Sequence, residues 1–389
     1  MALGRCATAC AWIIAGLAVV ATVLVKQIAK PLSASEYPVF DTTLGGASNE
    51  DLRKLRRIGE GVVHGPETVV FDSKGNMYGL TADGDVVRIT VLPDNTVSVD
   101  RYVHIGGRPL GGAFDHNDDM YIADALKGLL RVRKHSAQLG VVEVLASTVD
   151  GSPIRYADDV AIGRQTKNVY FSDATDIGVD RVVGSPDEWD TLQGSITDAL
   201  RGEKRGRLLR YNPTNGSTDV LLDGIWFANG VAVSPDESYV LVCETFMPRI
   251  LRVWLDGPRK GLSEIFSNGF PGYCDGISID ESGKYVYAAI PSPKPPAQNA
   301  IQAMPVPIAT FLRNALLALP IHIRSKIIKK VSQGCVLVID ARSGRVLRAL
   351  NDEGGIVSGM ITAVTPRDGK LYLGSLTNDF VAVLDAPVI

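Results

Sequence analysis

From about residue 60 onward one arrangement of apolar and polar positions keeps returning. A small or polar lead-in precedes alternating apolar residues, a polar turn that often holds glycine, and a second apolar run. That is the pattern of paired, buried strands. The first copy reads Gly65-Pro66-Glu67-Thr68-Val69-Val70-Phe71, turns through Asp72-Ser73-Lys74-Gly75, and resumes with Met77-Tyr78-Gly79-Leu80. Five more copies lead in at Pro109, Ala157, Ala228, Cys274 and Met360. Most are followed by a third strand with a basic or bulky residue, as in Val86-Val87-Arg88-Ile89 and Ile250-Leu251-Arg252-Val253. Copies of three or four strands, recurring at roughly 40–45 residues, predict the blades of a β-propeller. Two tandem β-sandwiches would also need many short strands, but not one element repeated in a fixed order. The expected fold is all-β, a six-bladed β-propeller over 60–389, with an N-terminal transmembrane helix and a partly helical insertion in blade five.

Residues 1–30 read as a signal-anchor segment and 31–59 as a linker. The stretch 7–25 carries no charge, with Arg5 before it and Lys26 and Lys30 after it. As a helix it would reach roughly 28 Å, close to the hydrocarbon thickness of a bilayer. A cleaved signal peptide is the alternative, but the small-residue triplet Ser33-Ala34-Ser35 sits far downstream for one. Either reading sends the chain to the secretory pathway, as a single-pass protein of the endoplasmic reticulum or plasma membrane or as a secreted one. There Asn215-Gly216-Ser217 is an N-glycosylation acceptor.

Two copies are interrupted. The insertion at 180–205 is polar and of mixed charge, and a surface loop is expected. The one at 291–333 begins with prolines, is expected to be helical over 308–317, and ends in Arg324, Lys326, Lys329 and Lys330. Residues 306–330 are thus a second candidate for membrane contact, with packing over a propeller face as the equal alternative. The net charge of −3 and the absence of a basic stripe argue against a nucleic-acid partner. Five cysteines without a CxxC pair exclude a zinc ribbon or thioredoxin-like site. Their odd count forbids complete pairing, and a Cys243–Cys274 disulfide and free thiols are both open.

Aligning the copies on the fourth residue before the last apolar one of the first strand gives one position per blade: Glu67, Leu110, Asp158, Asn229, Asp275 and Met360. Innermost strands line a propeller's channel, so these positions are expected to form a ring. Asp and Asn are disfavoured at buried strand positions, yet four of the six carry side-chain oxygens. Carboxylates about 5 Å apart at an effective dielectric near 20 repel by about 3 kcal/mol per pair. Either their pKa values rise or a cation neutralises them. A set of carboxylates and a carboxamide suits Ca²⁺ best, then Mg²⁺ or Mn²⁺. Strand capping is the structural alternative for any one of these residues.

Arg108-Pro109-Leu110-Gly111, Gly206-Arg207-Leu208-Leu209-Arg210-Tyr211, Phe227-Ala228-Asn229-Gly230-Val231-Ala232 and Pro271-Gly272-Tyr273-Cys274-Asp275 resemble the strictosidine synthase-like / adipocyte plasma membrane-associated protein family. That family is similar to paraoxonases and gluconolactonases. The resemblance implies a six-bladed propeller with an axial divalent metal at Glu67, Asp158, Asn229 and Asp275. Asp158 replaces the usual Asn, and Gly276 stands where many relatives have Asn, which removes one ligand. True strictosidine synthases condense an amine with an aldehyde through a glutamate in the last blade. Counting back from Asp368-Gly369 puts Thr362 there and Met360 where a histidine would be, so condensation is disfavoured. The resemblance to paraoxonases implies instead a metal-dependent ester or lactone hydrolase acting on a small-molecule ester, lactone or other hydrophobic ligand. Asp158, Asp159 and His64 are its candidate proton acceptors. A non-catalytic, metal-stabilised propeller that binds a ligand or protein partner is the competing reading.

Overall fold

The computed structural model describes residues 50–135, 140–182, 185, 188–293, 304–320, 334–352 and 359–389. Six four-stranded antiparallel sheets form the six predicted blades. Their innermost strands are Thr68–Phe71, Pro109–Phe114, Ala157–Ile162, Ala228–Val233, Ile277–Ile279 and Ile361–Arg367. Each lies against the next, and the last lies against the first, so the ring closes.

The period-two pattern explains the closure. In the second strand of blade four, Leu241 and Cys243 face the core shared with blade five, among Val286, Ala288, Leu337 and Ile339. Their neighbours Val240 and Val242 face the opposite way, toward Tyr170 and Leu208 of blade three. Middle strands are therefore apolar on both faces, because each blade is sandwiched between two others. At about 1.5–3 kcal/mol per buried Val or Leu, these inter-blade layers are the main stabilising term.

Blade six draws its outer strand from the other end of the chain. Arg56–Ile58, at the end of the stretch read as a linker, pairs with Val381–Val383 in the register Arg56↔Val383 to Ile58↔Val381. This joins the two ends in one sheet and covers an edge that would otherwise be open.

A disulfide joins Cys243 to Cys274 across 5.9 Å between Cα atoms. It ties the second strand of blade four to the residue preceding Asp275. Cys335 is buried and free.

The insertion at 180–205 is not the loop expected from its polarity. Asp180–Arg181 pairs with Trp189–Asp190, and a helix follows at Thr191–Arg201. The polar residues that read as loop signals are the helix's own start. Asp190 Oδ1 accepts the Gln193 amide at 3.0 Å, which is an N-cap. Arg181 stacks 4.2 Å over the Trp189 ring. The second insertion contains the expected helix, Val306–Ala318. By contacts, the propeller forms one unit, and described residues 195–203 and 304–320 belong to a second, smaller one. The apolar stretch 7–25 and the basic one at 324–330 lie outside the described residues. Among the described residues no helix is long and apolar enough to cross a membrane.

Blade six meets blade one at Gly374, where an added Cβ would stand 1.9 Å from the Glu67 carbonyl oxygen. Gly374→Ala is expected to destabilise the protein by about 2–3 kcal/mol through overpacking. Gly178→Ala, where nothing lies within 4 Å, should cost less than about 0.5 kcal/mol. Denaturant unfolding of both variants checks this, and equal losses would contradict it.

Candidate functional site at the propeller axis

Strand pairing fixes the ring positions. The inner strands of blades three, four and five end opposite Val169, Val240 and Val286, at Ile162, Val233 and Ile279. Four residues back stand Asp158, Asn229 and Asp275, as expected from the repeats. Blade six differs. Its equivalent pair is Pro366↔Leu371, which puts Thr362 in the ring rather than Met360. The strand runs three residues beyond Val364, to Arg367, before a tight Asp368-Gly369 turn, with both residues at positive φ (48° and 70°). Val364 is therefore not its last paired residue, and the alignment slips by two.

The ring is thus Glu67, Leu110, Asp158, Asn229, Asp275 and Thr362, all buried. Backbone bonds stitch consecutive blades beside it. The Gly230 amide donates to the Asp275 carbonyl at 3.3 Å, and the Gly276 amide to the Thr362 carbonyl at 2.7 Å. Thr362 Oγ1 donates to the Glu67 carbonyl at 3.0 Å. Thr362 is wholly buried and serves the ring as a structural donor. Gly276 likewise has a steric reason, since a Cβ there would lie 2.6 Å from the Thr362 carbonyl oxygen.

Burial and mutual repulsion both act on the carboxyls. Asp158 is pushed well above the usual range, first by burial and then by the charges of Asp275, Glu67 and Asp159. Asp275 is raised in the same way, by burial and then Glu67, with a hydrogen bond from Asn229 opposing. Burial raises Glu67 too, against a hydrogen bond from Thr68 Oγ1 at 2.6 Å and the charge of Arg108. The fold thus brings the three predicted carboxyls within electrostatic reach of one another, with Asn229 bonded to Asp275. Among the described residues, however, no three acidic, histidine or cysteine side chains stand in metal-holding geometry. The donor chemistry and the charge of the ring nonetheless fit a hard divalent cation.

Asp159 takes a different place from Asp158. Its Oδ2 accepts the Val231 amide at 2.8 Å and its Oδ1 accepts the Val160 amide at 2.8 Å. Burial lifts its pKa to about 7 against those bonds. The carboxyl braces blade three against blade four and borders an axial cavity of about 330 Å³ with Thr68, Gly112, Gly276 and Ala363. His64 is exposed, two residues before Pro66.

The structure adds a second ring that the repeat pattern does not single out. Two residues before each ring position stand Gly65, Arg108, Tyr156, Phe227, Tyr273 and Met360. Gly65, Phe227 and Met360 hold positive φ (51°, 62° and 51°), costly for the latter two and tolerated where the surroundings fix them. The rings of Tyr156 and Phe227 pack edge-on at 5.3 Å, and Phe246 bridges Phe227 to Tyr273. Arg108 is buried and donates to the carbonyls of Pro109 and Gly65. Burial lowers its pKa while Glu67 opposes the shift, and a guanidinium keeps its proton throughout. The signal for this ring lies in the aromatic lead-ins Arg155-Tyr156, Trp226-Phe227 and Gly272-Tyr273, at one offset from the acidic positions.

The family model described as strictosidine synthase matches residues 158–258, and that for the strictosidine synthase-like N-terminal region matches 47–89. Strictosidine synthase-like protein 10 of Arabidopsis thaliana is 32% identical over 82% of this chain and 85% of its own length. The human adipocyte plasma membrane-associated protein is 28% identical over 92% of this chain and 84% of its own. Among solved structures, a gluconolactonase from Xanthomonas campestris has a TM-score of 0.57 at 13% identity, covering 87% of this chain and 91% of that one. Regucalcin from Agrobacterium tumefaciens, described as calcium-binding, has a TM-score of 0.53 at 15% identity, covering 84% and 92%. At such identities these two structures bear on the fold alone. With its six blades, its axial ring and a relative 32% identical over most of both chains, the chain belongs to the strictosidine synthase-like family.

Proposed function

We propose that this protein is a divalent-cation-dependent hydrolase of esters or lactones with apolar substituents, held at a secretory-pathway membrane by residues 7–25. One observation carries the reading: three buried carboxyls and a carboxamide gather on one axial ring beneath a wall of aromatic side chains. Glu67, Asp158, Asn229 and Asp275 would hold the cation, with Ca²⁺ favoured by an all-oxygen donor set. With the three carboxyls ionised and Arg108 charged, the site carries −2, and one divalent cation neutralises it. Such a cation supplies electrophilic polarisation of a carbonyl oxygen.

The chain's own groups supply the rest. Tyr156, Phe227 and Tyr273 receive the apolar part of the substrate and exclude water from it. Asp158, one of the carboxyls that would hold the cation, also takes a proton from the attacking water as general base. Arg108 offsets the charge of Glu67. Thr362 and Met360 supply neither carboxylate nor imidazole, so no residue at those positions could serve amine–aldehyde condensation. The gluconolactonase named among the structural neighbours makes lactones a reasonable first panel, although a shared fold assigns no chemistry.

Aryl esters and lactones assayed with and without chelator test the proposal. Turnover should require Ca²⁺ or a related ion, and Asn229→Ala and Asp275→Ala should each lower it at least about 100-fold. A folded, Ca²⁺-loaded protein that turns over neither substrate class, or turnover indifferent to chelator, would sink the enzyme reading. Stabilisation by Ca²⁺ without turnover would favour a scaffold.

The raised carboxyl pKa values also set a pH dependence. A carboxyl with folded pKa above its unfolded value near 4 stabilises the fold at low pH, and loses that contribution as pH rises through the folded pKa. For Asp159 the window runs from about 4 to about 7, and Asp158 and Asp275 act in the same direction. Carboxylates held low, such as Glu143 by Arg133 and Glu264 by Arg252, act in the opposite direction but only in more acidic solution. The metal-free protein should therefore melt at a lower temperature at pH 8 than at pH 5.5, and Ca²⁺ should flatten that slope. Calorimetry at both pH values decides, and an unchanged slope with Ca²⁺ would count against the axial site.

A further inference from the structure

Asn215-Gly216-Ser217 is the only Asn-x-Ser/Thr triplet in the chain without a central proline; Asn212-Pro213-Thr214, just before it, is disqualified by its proline. The axial site gives this motif no role. It occupies the turn joining Gly206–Tyr211 to Thr218–Ile225, the third and outer strands of blade three. Asn215 is exposed, and nothing stands within 4 Å of where a Gly216 Cβ would lie. The turn is held from below: the Asn212 amide donates to the Ser217 carbonyl at 2.9 Å, and the Gly216 amide to the Asn212 carbonyl at 2.8 Å. The Ser217 amide bonds Asn215 Oδ1 at 2.9 Å, which leaves the Asn215 Nδ2 group unengaged by that bond.

Strand direction fixes which end of the propeller this is. Inner strands run away from the acidic ring, and each later strand reverses. Turns between third and fourth strands therefore lie at the end opposite the ring. A large substituent on Asn215 would not cover the lead-ins that carry Arg108, Tyr156 and Phe227. A second, independent feature bears on the compartment. The Cys243–Cys274 disulfide belongs to an oxidising environment, the same one in which asparagine-linked sugars are attached.

We propose that Asn215 carries an N-linked glycan, displayed on the propeller end opposite the axial site. The donor is an oligosaccharide linked through diphosphate to a polyprenol. The bond from Asn215 Nδ2 to the sugar C1 forms, the C1–O bond to the diphosphate breaks, and the amide proton leaves with the polyprenyl diphosphate. The inference rests on passage through the secretory pathway but not on hydrolase activity.

The test uses the full chain expressed in a eukaryotic cell. Peptide N-glycosidase should shift its mobility by a single step. Asn215→Gln and Ser217→Ala should abolish the shift, and Ser217→Thr should keep it. Alkylation before and after reduction should show Cys243 and Cys274 oxidised in the same sample. Any ester or lactone turnover should be unchanged in Asn215→Gln. An unshifted chain with oxidised cysteines would overturn the glycan while leaving the compartment intact. A shift that survives Asn215→Gln would also overturn it. An unshifted chain with free thiols would overturn both.

Discussion

The closing of six inner strands around an axis depends on how near their backbones can come. Just after three of the ring positions, that approach leaves no room for a side chain. A Cβ on Gly111 would lie 2.5 Å from the Asp159 Cα, one on Gly230 2.4 Å from the Ile277 nitrogen, and one on Gly276 2.6 Å from the Thr362 carbonyl oxygen. These glycines follow or face the ring residues, and their missing side chains let Asp158, Asn229 and Asp275 converge. Close approach and charge convergence are one feature.

That coupling explains why the fold could be read from the sequence while part of the site could not. Repetition made the blades visible, because every blade faces the same problem of burying both sides of its middle strands. It also made Glu67, Asp158, Asn229 and Asp275 stand out as polar exceptions at one offset. The offset fails only in blade six, where the Asp368-Gly369 turn comes two residues late. An apolar pattern cannot register that shift, since Val364 and Pro366 both look like strand residues. Only the pairing of Pro366 with Leu371 reveals Thr362 as the sixth member. The N-terminal strand Arg56–Ile58 was hidden for a similar reason: two of its three residues are charged, and its place in blade six is decided by a partner more than 300 residues away in the sequence.

The helix at Thr191–Arg201 shows a different limit. Its start is polar because Asp190 caps it, and polarity between two strands reads as loop. Capping residues and turn residues are the same types, chosen for the same ability to bond backbone amides. What separates the two is whether an apolar face follows at helical spacing, as Leu192, Ile196 and Leu200 do here.

The sixth position of the acidic ring bears on which chemistry the axis can host. Where the resemblance to strictosidine synthases would place a catalytic glutamate, this chain has a buried threonine already donating to a backbone carbonyl. Replacing that hydroxyl with a carboxylate would add a fourth buried negative charge to a ring that Arg108 only partly offsets. At an effective dielectric near 20 and roughly 5 Å, each new pair would cost about 3 kcal/mol. Thr362 is thus more than a missing catalytic group. With Glu67, Asp158 and Asp275 already sharing the ring and raising one another's pKa values, a neutral hydroxyl suits the sixth position. The hydrolase proposed for this axis would ask of it only what acidic oxygens and a hard cation can perform together.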